Sequence, residues 1–147
     1  MMREELTIEW MNKNIPAFKD LPLDLVKDNP YSGWDVYNDK IVGELKHRRM
    51  PYSLYAEDGY ILEQSKFNKL VERAKLNGET ILYINTFDDG ILVWWDLSKL
   101  IDEKYDFNWH NMSMKKTTDF EDNSQVDKLI CKLSDKIVHY KAKRKDV

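Results

Sequence analysis

Residues 31–49 read YSGWDVYNDKIVGELKHRR, and this stretch decides the fold. Its spacing predicts a β-hairpin, with Trp34 and Val36 on one arm, Ile41, Val42 and Leu45 on the other, and Asn38-Asp39 as the turn. A two-residue loop there sets Tyr37 against Lys40 and Asp35 against Val42. Side chains alternate along a strand, so Asp35, Val42, Glu44 and Lys46 share one face, and Trp34, Val36, Ile41 and Leu45 the other. Asp35 and Glu44 become diagonal neighbours with α-carbons roughly 7 Å apart, which leaves room for one hard cation between their oxygens. Register carries this reading, because a one-residue slip sends Asp35 to the opposite face.

The surrounding composition bounds what such a hairpin can serve. The chain has 147 residues, enough for one core and a single domain. A hydrophobic content of 42% with 33% charged residues suits a globular protein. The formal net charge of −3 argues against coating nucleic acid by bulk charge, although Lys46 to Arg49 and Lys141 to Lys145 are locally basic. A single cysteine, Cys131, excludes an internal disulfide and a cysteine-based zinc site, and three scattered histidines offer no zinc set. The N-terminus is acidic where a signal peptide needs an apolar run, and Ile91 to Trp95 is too short to span a membrane. These features point to a soluble, intracellular, cytoplasmic protein.

Outward from the hairpin, residues 3 to 14 carry a loosely helical pattern ending before Pro16. Pro16 to Pro30 reads as a connection, within which Leu23 to Val26 has the character of a short strand. Tyr60 to Asn77 is predicted as a helix stopped by Gly78. Thr80 to Phe87 and Ile91 to Leu97 form a second hairpin around Asp88-Asp89-Gly90, and their near-continuous apolar runs suit central strands covered on both faces. Lys99 to Asp102 fits a helical turn and Tyr105 to Thr118 an aromatic, polar loop. Val126 to Val138 fits either a helix or a strand ahead of a helix capped by Ser134, and Lys141 to Val147 a frayed basic tail.

An Asp on one strand with Glu-x-Lys on its partner resembles the active-site signature of the PD-(D/E)XK nuclease superfamily, carried here by Asp35, Glu44, Leu45 and Lys46. The order of a helix, a motif-bearing hairpin, a helix and further strands is similar to that family's core over about residues 3–97, and the chain resembles small phage-encoded members. Residues 98–147 are read as an extension packing on this core. Trp34 stands where the motif's name has Pro, and the usual three-stranded meander is only partly visible. The resemblance implies an α/β (α+β) fold: a restriction-endonuclease-like core with a central mixed sheet flanked by helices.

It also implies a Mg²⁺-dependent (or Mn²⁺-dependent) nuclease acting on DNA. In that reading Asp35, Glu44 and the Leu45 carbonyl hold the metal, which polarises the phosphodiester and acidifies water. Lys46 orients that water or stabilises charge on the phosphate. A Glu of the first helix, Glu5 or Glu9, adds a metal contact in some branches, and the following helix contributes Gln64, Lys66 or Glu63. His47, Arg48, Arg49 and Lys69 are the nucleic-acid-binding candidates.

The competing reading is a catalytically inactive nuclease-fold module that binds DNA or a protein partner, the latter through the aromatic last third. A plain structural protein with a solvated hairpin is the third. A homodimer is compatible with cutting both strands, though no stretch specifies an interface.

Overall fold

The computed structural model describes residues 3–27, 33–55, 59–115 and 125–144. Over these the chain forms α1 (Arg3–Asn14), α2 (Pro16–Asp20), β1 (Asp24–Leu25), β2 (Val36–Tyr37), β3 (Ile41–Arg48), β4 (Tyr60–Glu63) and α3 (Gln64–Asn77). It continues through β5 (Thr80–Phe87), β6 (Ile91–Asp96), α4 (Leu97–Asp102), β7 (His110–Lys115), β8 (Gln125–Leu133) and β9 (Tyr140–Lys143), with 3-10 turns at Tyr52–Tyr55 and Asp135–Ile137. The result is a single α+β domain with a mixed six-stranded sheet, in the order β1-β2-β3-β5-β6-β9, and a three-stranded sheet, β4-β8-β7.

In the large sheet β3 and β5 are parallel, from Ile41 opposite Thr80 to Arg48 opposite Phe87, and every other pairing is antiparallel. A parallel pair needs a crossover connection, which the segment containing β4 and α3 supplies. Alternation then divides the sheet into two faces. Val42, Ile81, Tyr83, Phe87, Val93 and Trp95 are buried together with Tyr60, Leu62, Leu70, Cys131 and Leu133, so α3 and the small sheet cover this face. Val36, Leu45, Leu82, Ile84 and Leu92 are buried with Ile8, Met11, Ile15 and Phe18, so α1 and α2 cover the other. Burial on both sides explains why β5 and β6 read as nearly unbroken apolar runs. It also separates the adjacent tryptophans: Trp95 is in the core, and Trp94 stacks on Tyr140 at 4.2 Å between centroids.

Close approach of backbone fixes one glycine in the motif strand. A Cβ on Gly43 would stand 2.6 Å from the Leu82 carbonyl oxygen and 3.0 Å from Val36 Cγ2. Gly43→Ala is therefore expected to push β3 from β5 and cost about 1–3 kcal/mol, seen as a lower urea midpoint at unchanged slope.

The structure bears out the first helix, the two central strands with their turn, and the stop at Gly78, whose φ of 67° is left-handed. It corrects other expectations. Tyr60–Glu63 is a strand and the helix starts at Gln64, because Tyr60 and Leu62 alternate inward against β8. The tail expected to fray contributes β9, which pairs Ile91 to Trp94 with Tyr140 to Lys143; Lys145 to Val147 lie outside the described residues. His110–Lys115, expected in a loop, is an edge strand of the small sheet. Residues 125–138 follow the strand-first alternative: β8 is followed by a 3-10 turn in which the Ser134 hydroxyl accepts from the Lys136 N–H. The last third is thus part of both sheets. Among the described residues no helix is long and apolar enough to cross a membrane.

Candidate functional site

The hairpin turn is shifted by one residue from the expected position. Tyr37 pairs with Val42 and Val36 with Gly43, leaving Asp39 and Lys40 as the loop. The Asn38 side chain selects this register by accepting from the N–H groups of Lys40 and Ile41, both at 2.8 Å. Moving the turn by one position shifts the pairing by two residues, so parity survives.

A β-bulge then ends the ladder. The Asp35 N–H donates to the Gly43 carbonyl at 2.9 Å although Gly43 is paired with Val36, so two residues of one strand oppose one of the other. The Asp35 carboxylate replaces the missing ladder acceptor, with Oδ2 taking the Leu45 N–H at 2.9 Å. The N–H and C=O of a strand residue leave along the same edge, so the Leu45 carbonyl points toward this edge too, beyond Val36, the first residue of β2. The same bulge corrects the placement of Trp34. Instead of sharing a face with Val36 and Leu45, it packs with the opposite cluster, where the Arg73 guanidinium lies 4.8 Å from its ring centroid.

Glu44 is only 3% exposed. Burial and the neighbouring Asp35 carboxylate push its pKa up to about 7, against the opposing pull of Lys46 and Lys66. Lys46 Nζ stands 3.4 Å from Glu44 Oε1. Glu44 Oε2 is buried and finds no donor among the described residues. The neighbouring Asp35 carboxylate offers acceptors, so two carboxylates this close are relieved by a shared proton or a cation. Two hard carboxylates with an orphaned buried oxygen are a donor set that fits a divalent metal.

Beside Glu44 lies a cavity of about 140 Å³ lined by Lys46, Arg48, Tyr83, Lys66 and β4, with Met114 of β7 reaching in. Of the three residues that the resemblance offers from this helix, Lys66 and Glu63 line the cavity. Arg48 is not the free DNA contact expected. Its Nε donates to Asn85 Oδ1 at 2.8 Å, and its Nη2 to the Ile61 carbonyl and the Tyr83 hydroxyl at 2.9 Å each. It braces the cavity wall and joins the two sheets.

Several other expected residues stand apart. Gln64 opens α3 but does not line the cavity. Glu5 and Glu9 sit on α1, which covers the opposite face of the sheet, and Glu9 is exposed. Among the described residues no three His, Cys, Asp or Glu side chains group around a metal position, so the extra carboxylate is not supplied. His47 also faces away from Glu44, because positions 45 and 47 alternate with 44 and 46. Its ring nitrogens meet Thr86 at 2.7 Å and Asp88 at 3.1 Å, and burial lowers its pKa. Arg49 is exposed. Lys69 is exposed at its head, while its stem lies where a Cβ on Gly33 would sit, 2.8 Å from Lys69 Cβ. Cys131 is a buried packing residue whose thiol pKa is pushed up to about 12 by burial.

Sequence reasoning missed Tyr83, Met114 and the Glu63–Lys128 ion pair, 2.6 Å long, that ties the start of α3 to β8. Arg48 had a legible signal, since it shares parity with Glu44 and Lys46. The others depend on pairings between distant strands, for which no local signal exists. No protein-family model, no curated protein and no solved structure matches this chain.

Proposed function

We propose that this protein is a Mg²⁺- or Mn²⁺-dependent nuclease with a restriction-endonuclease-like core, hydrolysing DNA phosphodiester bonds. The observation that carries the reading is the Asp35 carboxylate acting on Glu44 beside the bulge, with Glu44 Oε2 buried and without a donor among the described residues and Lys46 beside it. The topology supports it. β1, β2 and β3 form the three-stranded meander that the resemblance calls for, preceded by a helix and followed by α3 and β5.

Asp35, Glu44 and the Leu45 carbonyl are the residues that would hold the metal. Once bound, a divalent cation there supplies charge to a phosphate and makes hydroxide accessible at neutral pH. Lys46, with its side chain 38% exposed and its ammonium beside Glu44, would set that ammonium against a phosphate oxygen or the attacking water. Lys66 adds a second cation across the cavity. Arg48 keeps β4 at its distance from β3, which holds the cavity open.

The test is incubation of the purified protein with single-stranded, flapped, four-way and plasmid DNA in Mg²⁺ and in Mn²⁺. Cleavage of any of these, removed by EDTA, is expected. Inert protein on all four with both metals would sink the enzyme reading, and DNA binding without cleavage would favour the inactive module.

A further inference from the structure

We infer that Arg73 of α3 is a positioning residue for the carboxylate pair: together with Lys69 and Glu79 it clamps Gly33 and Trp34, the two residues that lead into Asp35, and so holds Asp35 beside Glu44 for a divalent cation. The inference rests on the metal site of the nuclease reading and adds residues that act on that site through Asp35.

Two carboxylates brought together repel until a proton or a cation joins them. Asp35 is the one with freedom to retreat. Glu44 lies within β3, which is paired along its length with β5, whereas β2 begins only at Val36. Asp35 does keep bonds of its own. Its N–H donates to the Gly43 carbonyl, its carbonyl accepts from the Val26 N–H at 2.8 Å, and Oδ2 accepts from the Leu45 N–H. The two residues before it lie outside the paired strand, and both meet α3.

The grip has two points. Lys69 and Arg73 are four residues apart, so they share one face of α3 a turn apart. At the first point, a Cβ on Gly33 would stand 2.8 Å from Lys69 Cβ and 3.0 Å from its Cδ, so a glycine lets the chain come this close to the helix. At the second, the Arg73 guanidinium lies 4.8 Å from the centroid of the half-buried Trp34 ring.

That guanidinium is itself held. Its Nε and Nη2 donate to the two oxygens of Glu79, at 2.8 and 3.3 Å, and the Glu79 side chain is only 2% exposed. A forked pair fixes the plane of the guanidinium, which a lysine ammonium has no means to do. Glu79 immediately precedes β5, the strand that sets Tyr83 opposite Glu44. The clamp therefore ties the approach to Asp35 to the same strand that fixes its partner carboxylate.

An ion pair at a helix end also supports the fold, so the experiment separates position from stability. Mn²⁺ binding is measured on the metal-free full chain, with free Mn²⁺ read by electron paramagnetic resonance so that weak binding is still resolved. Arg73→Gln should weaken binding by about 10–100-fold, the usual cost of losing a group that orients a metal ligand. Gly33→Ala, which pushes the segment off α3 without removing a charge, should weaken it by about 10-fold and decides the matter if Arg73→Gln fails to fold. Leu92→Val removes a methylene from the core on the other face of the sheet and should leave the affinity unchanged. Because Arg73 acts through Asp35, the double variant Arg73→Gln/Asp35→Asn should bind no more weakly than Asp35→Asn alone. If wild type binds Mn²⁺ and both clamp variants bind it equally well, the inference is wrong and the metal site stands. A loss shared by Leu92→Val, or one that adds in full to that of Asp35→Asn, would likewise overturn it in favour of a purely structural ion pair. If wild type binds no Mn²⁺, the metal site and the inference both fall.

Discussion

Lys46→Ala is expected to slow metal-dependent DNA cleavage by about 10²–10³-fold, the usual cost of removing one group aimed at developing charge. Glu44→Gln should lose more, because it removes one of two carboxylates that would hold the metal and leaves Asp35 alone. Both variants should stay folded. Lys46 has its ammonium at the surface, where its ion pair with Glu44 contributes little to stability. Glutamine fills the volume of Glu44 and can donate to Asp35. Initial rates on the best substrate, with circular dichroism as the control for folding, check this. Either variant cleaving at the wild-type rate would remove that residue from the chemistry.

The same substitution should have an opposite effect on the metal-free protein. Glu44 titrates at about 7 in the folded chain against 4.5 ordinarily, chiefly because burial and Asp35 disfavour its charged form. A carboxyl whose folded pKa is raised favours folding below its unfolded pKa, and that contribution is lost as pH rises through the folded value. The stability of the wild type should therefore decline between about pH 4.5 and 7 by up to ~3 kcal/mol from this group alone. Glu44→Gln cannot ionise and escapes the decline. In EDTA its melting temperature should exceed that of wild type at pH 8, and the gap should close toward pH 5. Adding Mn²⁺ should raise the wild type and leave the variant where it was. Equal melting temperatures across this range would mean that Glu44 is not under strain. A destabilisation offset by the ligand is what a site held ready for a cation should show.

The motif was legible in the sequence because its elements are local. Asp35, Glu44 and Lys46 lie within twelve residues of one another, and alternation on a hairpin fixes their faces as long as parity holds. The turn itself was misplaced by one residue, since the Asn38 side chain captures two backbone donors and shifts the loop to Asp39-Lys40. Parity along β3 keeps Glu44 and Lys46 on one side, while Asp35 lies at the bulge, past the paired residues, and is held by its bond to the Leu45 N–H. The bulge at Asp35 was not legible. It depends on a carboxylate substituting for a ladder acceptor, and it sent Trp34 to the other side of the sheet.

Long-range pairing explains the remaining misses. Tyr60 to Glu63 can follow either period, and only the pairing with β8, about seventy residues away, makes it a strand. The basic residues after Lys46 could not be sorted by composition. Alternation places His47 against Thr86 and Asp88 and turns Arg48 inward to Asn85 and Tyr83, which leaves Arg49 exposed. Gln64 and Glu9 were assigned through resemblance alone, and this chain's helices do not carry them to the carboxylate pair.

Calorimetric titration of Mn²⁺ into the metal-free protein at pH 7.5, beside Asp35→Asn and Glu44→Gln, tests the central claim most directly. Binding at one site per chain is expected for the wild type, weakened by at least ~100-fold in each variant, a loss at or beyond the upper end of that for second-shell partners. A wild type that binds no Mn²⁺, or variants that bind it unchanged, would contradict the assignment of Asp35 and Glu44 as a metal site.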